Sequence, residues 1–330
     1  MTANRIAERM ATRMTLRQLR LVVAVAEHGN ILHAAGLVGV SQPAATKLLK
    51  DLELDLGVQL FTRTNRGAIP TDHGDILIRH GKLVFRQLAN AAQELGDRVE
   101  GASGQVVVGT LLAASALWLP DAILRLKRER PLVSVLVREG TSATLMPALR
   151  NGEVDLIVGR LNQHRFLDEI EQEQLFDETV VAVARPGHPL SKRRKLALAD
   201  VADCEWVLPP SDTTLRRQID RAFTNAGLSP PAITINSVSL LTNRKLIAQS
   251  DMIGVWPEHV VSDDIERGLL GVLPLDLEGV SGAVGVSWRR NGRLSPAARV
   301  FARHLRNSAK DLRRASRGAK RRASGRAAKT

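Results

Sequence analysis

The chain has 330 residues, 44% of them apolar, so it can bury more than one core and is too apolar for wholesale disorder. Its formal net charge of +13 favours an anionic partner, either nucleic acid or a membrane surface. No apolar run reaches the roughly 20 residues of a bilayer span. The single cysteine, Cys204, excludes an internal disulfide and a cysteine-rich zinc site.

Residues 1–13 carry Arg5, Arg9 and Arg13 but lack the apolar stretch of a signal peptide. They read as a flexible extension on a chain expected to stay in the cytoplasm. Leu16, Leu19, Val22, Val23 and Ala26 then recur at three- and four-residue steps, which gives one apolar helix face. Gly29 ends that helix, and Asn30 caps a second one carrying Ile31, Ala34, Ala35 and Val38. Gly39 allows a sharp turn, Ser41 caps a third helix, and Pro43 falls in its first turn, where a missing N–H is harmless. This helix buries Ala45, Leu48, Leu49, Leu52 and Leu56 and shows Gln42, Ala44, Thr46, Lys47 and Lys50 on its other face. Short helix, glycine turn and capped basic helix form a helix-turn-helix DNA-binding unit.

Groove chemistry assigns the roles. Gln42 suits a bidentate contact to adenine, and Ala44 or Thr46 suits a thymine methyl. Lys47 and Lys50 suit guanine edges or phosphates. The run from Phe61 to Thr71 reads as two short extended segments with a basic Asn65-Arg66-Gly67 tip, a wing in which Arg63 and Arg66 approach the DNA backbone or minor groove.

Thr71 caps a helix predicted to run to about Asp97. Leu77, Gly81, Val84, Leu88, Ala91 and Leu95 step by 4, 3, 4, 3, 4, the spacing of a heptad seam. A helix packed on its own domain shows the same stripe. Gly96 to Gly104 reads as a hinge.

From Gln105 the pattern changes to short apolar strands: Val106–Val108, Val133–Val137, Val154–Val158, Val180–Val183, Ile233–Ile235 and Met252–Val255. Helical stretches at Ala116–Arg128, Ser142–Asn151, Thr213–Ala226 and Ser239–Gln249 separate most of them, which predicts α/β units with parallel sheets. Cys204 falls at the start of a further strand and reads as a small reduced residue in or near the core. Ligands in such sheets bind beyond strand ends and near helix N-termini. Thr110, Thr141, Ser142, Arg160, the loop Ser237-Val238-Ser239 and Trp256 occupy those positions and form a candidate pocket; plain helix capping by the hydroxyls, or pairing of Arg160 with Asp155 or Glu153, is the alternative. The acidic run Asp168–Glu173 lacks a helpful histidine and reads as a solvated face rather than a metal site. His188 reads as part of a turn linking lobes. The Walker, GxSxG, HExxH and GxGxxG patterns are missing, so no catalytic residue, metal or cofactor is expected. After Asn307 the chain loses its apolar period, and nine basic residues face Asp311 alone, which predicts a disordered tail. Sequence-blind phosphate contact and simple solvation are both open readings of it.

Ala34-Ala35, Val40-Ser41-Gln42-Pro43-Ala44, Leu52-Glu53, Leu56 to Arg63 and Pro70-Thr71-Asp72-His73-Gly74 together resemble the N-terminal signature of LysR-type transcriptional regulators. Many members carry Ser-Arg where Thr46-Lys47 stands, a departure that bears on the target sequence. The resemblance implies a winged helix-turn-helix domain over 14–72, a dimerising linker helix over 73–97 and a hinge over 98–104. It further implies a two-lobed domain over 105–308, like the periplasmic solute-binding proteins, with an effector (carboxylate or sugar) between the lobes; the basic tail read from composition then spans 309–330. Its implied partners are an inverted-repeat double-stranded DNA operator, a homodimer or homotetramer partner, and RNA polymerase, with no membrane. Three rival readings stand beside it. One is a small-molecule binding protein with an inactive DNA domain. The others are an α/β enzyme with a helical module and an architectural nucleic-acid protein led by the tail.

Overall fold

The computed structural model describes residues 3–64, 67–96, 104–116, 118–161, 168–290 and 292–327. The chain divides into two compact units, Met1–Ala92 with Asn151–Glu153, and Gln93–Arg150 with Val154–Thr330. The hinge predicted at 98–104 lies outside the described residues except for Gly104.

The first unit runs α1 (Ala3–Arg13), α2 (Leu16–His28), α3 (Ile31–Val38), α4 (Gln42–Leu56), β1 (Phe61–Thr64), β2 (Gly67–Pro70) and α5 (Asp72–Gly96). Side-chain caps fix the helix starts. Thr15 and Gln18 form a reciprocal capping box on α2, and Asn30 accepts from Leu32 N and His33 N on α3. The core gathers Leu19, Val22 and Val25 of α2, Ala34 and Ala35 of α3, Leu49 and Leu52 of α4, and Leu77 and Ile78 of α5. Each fully buried leucine stabilises this unit by about 1.5–3 kcal/mol. Leu16, expected on the buried face, is 52% exposed, while Leu21 and Ala24 are buried instead. Residues 3–13, expected to be flexible, are helical. Ile6 and Met10 pack on the same core, and Arg9 Nη1 donates to Asp55 O at 2.6 Å. The i, i+4 apolar pair gives the extension a face to bury, a cue that its three arginines conceal.

The seam of α5 divides along its length. Leu77 is buried, and a Cβ on Gly81 would lie 2.9 Å from Leu19 Cδ1 and 3.0 Å from Val23 Cγ2. Gly81 therefore serves close packing of α5 on α2 inside the unit. Val84, Leu88 and Leu95 are 39%, 47% and 68% exposed.

The second unit has two lobes. The first holds β3 (Gly104–Thr110), α6 (Leu112–Ser115), α7 (Trp118–Glu129), β4 (Val133–Glu139), α8 (Ser142–Arg150), β5 (Leu156–Arg160) and β6 (Ile170–Glu178). The second holds β7 (Val180–Ala184), β8 (Trp206–Leu208), α9 (Thr214–Asn225), β9 (Thr234–Asn236), α10 (Leu240–Ala248), β10 (Ile253–Pro257), α11 (Glu258–Glu266) and β11 (Gly271–Val272). The chain then returns to the first lobe with β12 (Gly282–Arg289) and α12 (Pro296–Ala327). The sheet orders are β4-β3-β5-β12-β6 and β11-β7-β10-β8-β9. Passage at Thr179 and return over 273–281 link the lobes.

Both sheets are mixed rather than parallel. β12 runs antiparallel to β5 and β6, and β7 antiparallel to β10 and β11. A strand that arrives from the other lobe needs no helical crossover, so its direction is free. His188 is likewise not between the lobes: it lies in the second lobe beyond β7, where its Nδ1 accepts from Leu190 N and its Nε2 contacts Asp251 O at 3.1 Å. Cys204 packs at the edge of the second lobe's core, and burial pushes its thiol pKa up.

The tail also differs from expectation. α12 is one helix of 32 residues to Ala327, not a disordered segment after Asn307. Its sequence is rich in Ala, Arg and Lys, all strong helix formers, and has no proline after Pro296. Ala297 to Leu312 pack on the first lobe, where Phe301 and Leu305 enter its core and Trp118 Nε1 donates to Leu305 O at 2.7 Å.

Gly81→Leu is expected to destabilise the first unit by about 1–3 kcal/mol through overpacking against Leu19 and Val23. Urea unfolding of the variant checks this. Full stability with loss of self-association would place Gly81 in a helix–helix seam instead.

Candidate functional site

The reading face of the first unit is built by α3, the turn at Gly39 and α4. Gly39 closes α3 at φ 69°, and Ser41 Oγ accepts from Ala44 N to start α4. Ala45, Leu49, Leu52 and Leu56 bury one side of α4. That burial leaves Ser41, Gln42, Pro43, Lys47 and Lys50 exposed, with Ala44 and Thr46 half-buried at the margin. β1 and β2 pair antiparallel from Phe61↔Pro70 to Thr64↔Gly67 and form the wing. Glu53 Oε1 fastens it by accepting from Leu60 N at 2.8 Å and Phe61 N at 3.2 Å. Arg63 stands on β1 by its backbone, and Arg66, with Asn65, lies outside the described residues. The two strands stand where two short extended segments were expected.

In the second unit a cleft of about 740 Å³, counted to its open mouth, lies between the lobes. Its apolar wall includes Leu111, Leu112, Val238 and Trp256. Thr141, Ser142 and Arg160 line it from the first lobe and Thr213, Thr214 and Ser237 from the second. Helices α8 and α9 begin at this rim, so their N-terminal partial positive charge faces the space from both lobes.

Of the residues singled out from sequence, Thr141, Ser142, Arg160 and Trp256 share this cleft. Thr110 and Ser239 do not line it. Thr110 is 2% exposed and donates to Leu111 O, so it is spent on the strand end. Ser239 caps α10 by accepting from Thr242 N, and the neighbouring Ser237 takes the place at the wall. The cap needs the hydroxyl nearest the helix, which excludes Ser239 from the space beyond.

Arg160 pairs with Glu178, not with Asp155 or Glu153. Its guanidinium meets the Glu178 carboxylate and also donates through Nη1 to Gln218 Oε1 on α9. Gln218 Nε2 in turn donates to Ser281 O at 3.1 Å on the returning segment. A Cβ on Gly282 would lie 2.8 Å from Arg160 Nε, so the glycine makes room for the pair. The Arg160 and Glu178 side chains are 8% and 1% exposed. Burial pushes the Glu178 carboxyl above its ordinary pKa, against the pull of Arg160. A second tie crosses the mouth, where Thr141 Oγ1 donates to Asp212 Oδ2 at 3.3 Å. Glu178, Gln218 and Asp212 carry no local sequence signal, since only the meeting of two lobes gives them a role. Asp155, the discarded partner, accepts from Val107 N at 2.8 Å instead.

The acidic run contributes surface ion pairs. Glu169 meets Arg150, Glu171 accepts from Trp288 Nε1, and Glu173 meets Arg306. Asp168 and Glu169 lie in a turn and Ile170–Glu173 open β6, within the solvated loop or strand face that was expected.

The comparisons agree with both halves of this geometry. The model of the bacterial regulatory helix-turn-helix protein, lysR family, matches residues 16–75, and that of the LysR substrate binding domain matches residues 100–310. The transcriptional regulator GbpR of Azospirillum brasilense is 34% identical over 298 residues, 90% of this chain and 87% of that protein. GalR of Pseudomonas putida is 34% identical over 282 residues, 86% of this chain and 71% of that protein. Full-length OxyR from Pseudomonas aeruginosa shares the fold with a TM-score of 0.65 at 24% identity, covering 90% of this chain and 95% of that one. The chain belongs to the LysR family of bacterial helix-turn-helix transcriptional regulators, DNA-binding proteins with an effector-binding domain rather than enzymes.

Proposed function

We propose that this regulator reads an inverted-repeat operator with Gln42 and Lys47 as base contacts and Ser41, Pro43, Ala44, Thr46, Lys50, Arg63 and Arg66 as flanking contacts. The observation that carries this is the exposed face of α4, held by the Ser41 cap and presenting an amide and two ammonium groups side by side. Two such faces in a homodimer match a two-fold operator, with half-sites spaced by the helical repeat of DNA. The exposed Val84, Leu88 and Leu95 of α5 supply apolar surface for self-association into a dimer or tetramer. The site of action is the cytoplasm, beside RNA polymerase at a promoter.

The effector is a small carboxylate held in the interlobe cleft by Thr141, Ser142 and the N-termini of α8 and α9, with Trp256 and Leu111 against its apolar body. Helix N-termini favour an anion, while Arg160 is already neutralised by Glu178. A neutral sugar gains nothing from those dipoles. Binding acts by favouring one arrangement of the lobes over another, since a ligand of equal affinity for both shifts neither. The ties of Arg160 to Gln218 and Thr141 to Asp212 are the contacts that such a change remakes.

Gln42→Ala and Lys47→Ala are each expected to weaken operator binding by about 1–3 kcal/mol, with a smaller loss on scrambled duplex at the same salt. Equal losses on both would make them phosphate contacts.

In a thermal-shift panel, small carboxylates are expected to raise the melting temperature and matched neutral sugars to leave it unchanged. Ser142→Ala is expected to move the dose response about tenfold without changing operator affinity. A wild-type response in that variant would remove Ser142 from the pocket.

Arg160→Ala strands the buried Glu178 and is expected to cost about 3–5 kcal/mol, whereas Arg160→Met with Glu178→Leu recovers most of it. The folded pKa of Glu178 lies above its unfolded value, so the folded state holds the extra proton and stability falls as pH rises between the two. Losing Arg160 extends that window upward, and denaturation across pH reads it directly. A pH profile unchanged by Arg160→Ala would show that the two groups are not coupled.

A further inference from the structure

The far end of α12 is the most strongly charged element of the chain that the reading above leaves unused. Before Asp311, Arg303 of α12 meets Glu129 and Arg306 meets Glu173, and Asp311 itself meets Arg125. After Asp311 the sequence contains no acidic residue, while Arg313, Arg314, Arg317, Lys320, Arg321, Arg322 and Arg326 follow within the helix. After Leu312 it contains no apolar residue larger than alanine.

The helical register sorts these positions. At about 100° per residue, Lys310, Arg313, Arg314, Arg317, Lys320 and Arg321 fall on an arc of roughly 120°. Arg303 and Arg306 begin the same arc inside the domain. Phe301 and Leu305, which enter the first lobe's core, lie on the other side of the helix, and Ala315, Ala319 and Ala323 fall there together with Arg322 and Arg326. Five of the seven cations that follow Asp311 within the helix therefore fall on the arc that Arg303 and Arg306 begin. The extension from Arg313 to Ala327 is about 22 Å long at 1.5 Å per residue.

We propose that this terminal helix is a second, sequence-blind DNA contact, laying its basic arc along the phosphates of duplex that the first unit has engaged. The proposal rests on the DNA-reading function argued above. Like charges at i, i+3 and i, i+4 repel along the arc, and phosphates relieve that repulsion. A membrane surface is the other polyanion of suitable charge. Interfacial helices hold to it by large apolar residues on the face opposite the charges, and this helix carries Arg322 and Arg326 among alanines there, with no apolar residue larger than alanine after Leu312. Duplex held by the first unit also presents phosphates at high effective concentration.

The test compares the full chain with a full-length variant carrying Arg313→Gln, Arg314→Gln, Arg317→Gln, Lys320→Gln and Arg321→Gln, which keeps helix propensity. Affinity is measured for a duplex selected from random sequence and for its scrambled form, across about 50 to 200 mM salt. The expected result is a log-affinity against log-salt slope shallower by about 3–5 on both duplexes and at least tenfold weaker binding at low salt. The ratio between the two duplexes should stay unchanged. Identical slopes would overturn the proposal. A full chain that shows no preference for the selected duplex would instead overturn the DNA-reading assignment, whatever the slopes. Anionic phosphatidylserine vesicles are titrated in parallel, and vesicle binding lost in the variant with unchanged DNA slopes assigns the helix to membranes and sinks the proposal. A melting temperature equal to that of the full chain confirms that charge, not folding, was removed.

Discussion

The buried pair of Arg160 and Glu178 sets the terms for the effector-binding half of the molecule. It stands where the chain leaves the first lobe, and it reaches Gln218 on the second. Two charges taken from water at one point are stable only when geometry and further hydrogen bonds compensate for their desolvation. Here the compensation comes from both lobes, so their mutual arrangement and the satisfaction of the pair are one condition. The floor of the cleft is electrically closed as a result. Recognition of an anion then falls to the helix ends at the rim.

The reading half is governed by a different economy of forces. Its helices are short, and short helices are marginal without tertiary packing. Thr15, Asn30 and Ser41 satisfy their first N–H groups, while the leucines of α2, α4 and α5 supply the burial. Rigidity follows from the shared core, and it keeps Gln42, Lys47 and Lys50 in fixed relation. Glu53 extends that rigidity to the wing by holding the backbone at Leu60 and Phe61. A reader of bases needs such stiffness, because a bidentate contact tolerates little angular error.

α12 ties the structural argument to the functional one. Its first half completes the core of the first lobe through Phe301 and Leu305, and its second half is dense in charge, with no apolar residue larger than alanine after Leu312. One helix therefore changes character along its length, from packing to polyelectrolyte. The change falls near Asp311, the last acid of the chain.

Local chemistry alone determined much of this protein. The caps at Asn30 and Ser41, the turn at Gly39 and the apolar spacing of the reading helix depend on neighbours within a few residues, so they were legible in the sequence. So were the helix starts at Ser142, Thr213 and Ser239, because a cap is written beside its helix. The strands β6 and β12 were not legible: the charged residues of Ile170–Glu178 and the glycines of Gly282–Arg289 blur the period that marks a strand. The helicity of the two ends was hidden in the same way, by charges that suggested solvation. Only tertiary structure decided the partners of Arg160, the retreat of Thr110 and Ser239 from the cleft, and the packing of Gly81 on Leu19. Each depends on which distant segment arrives opposite, and that is fixed by the burial of whole faces rather than by any residue's own neighbours.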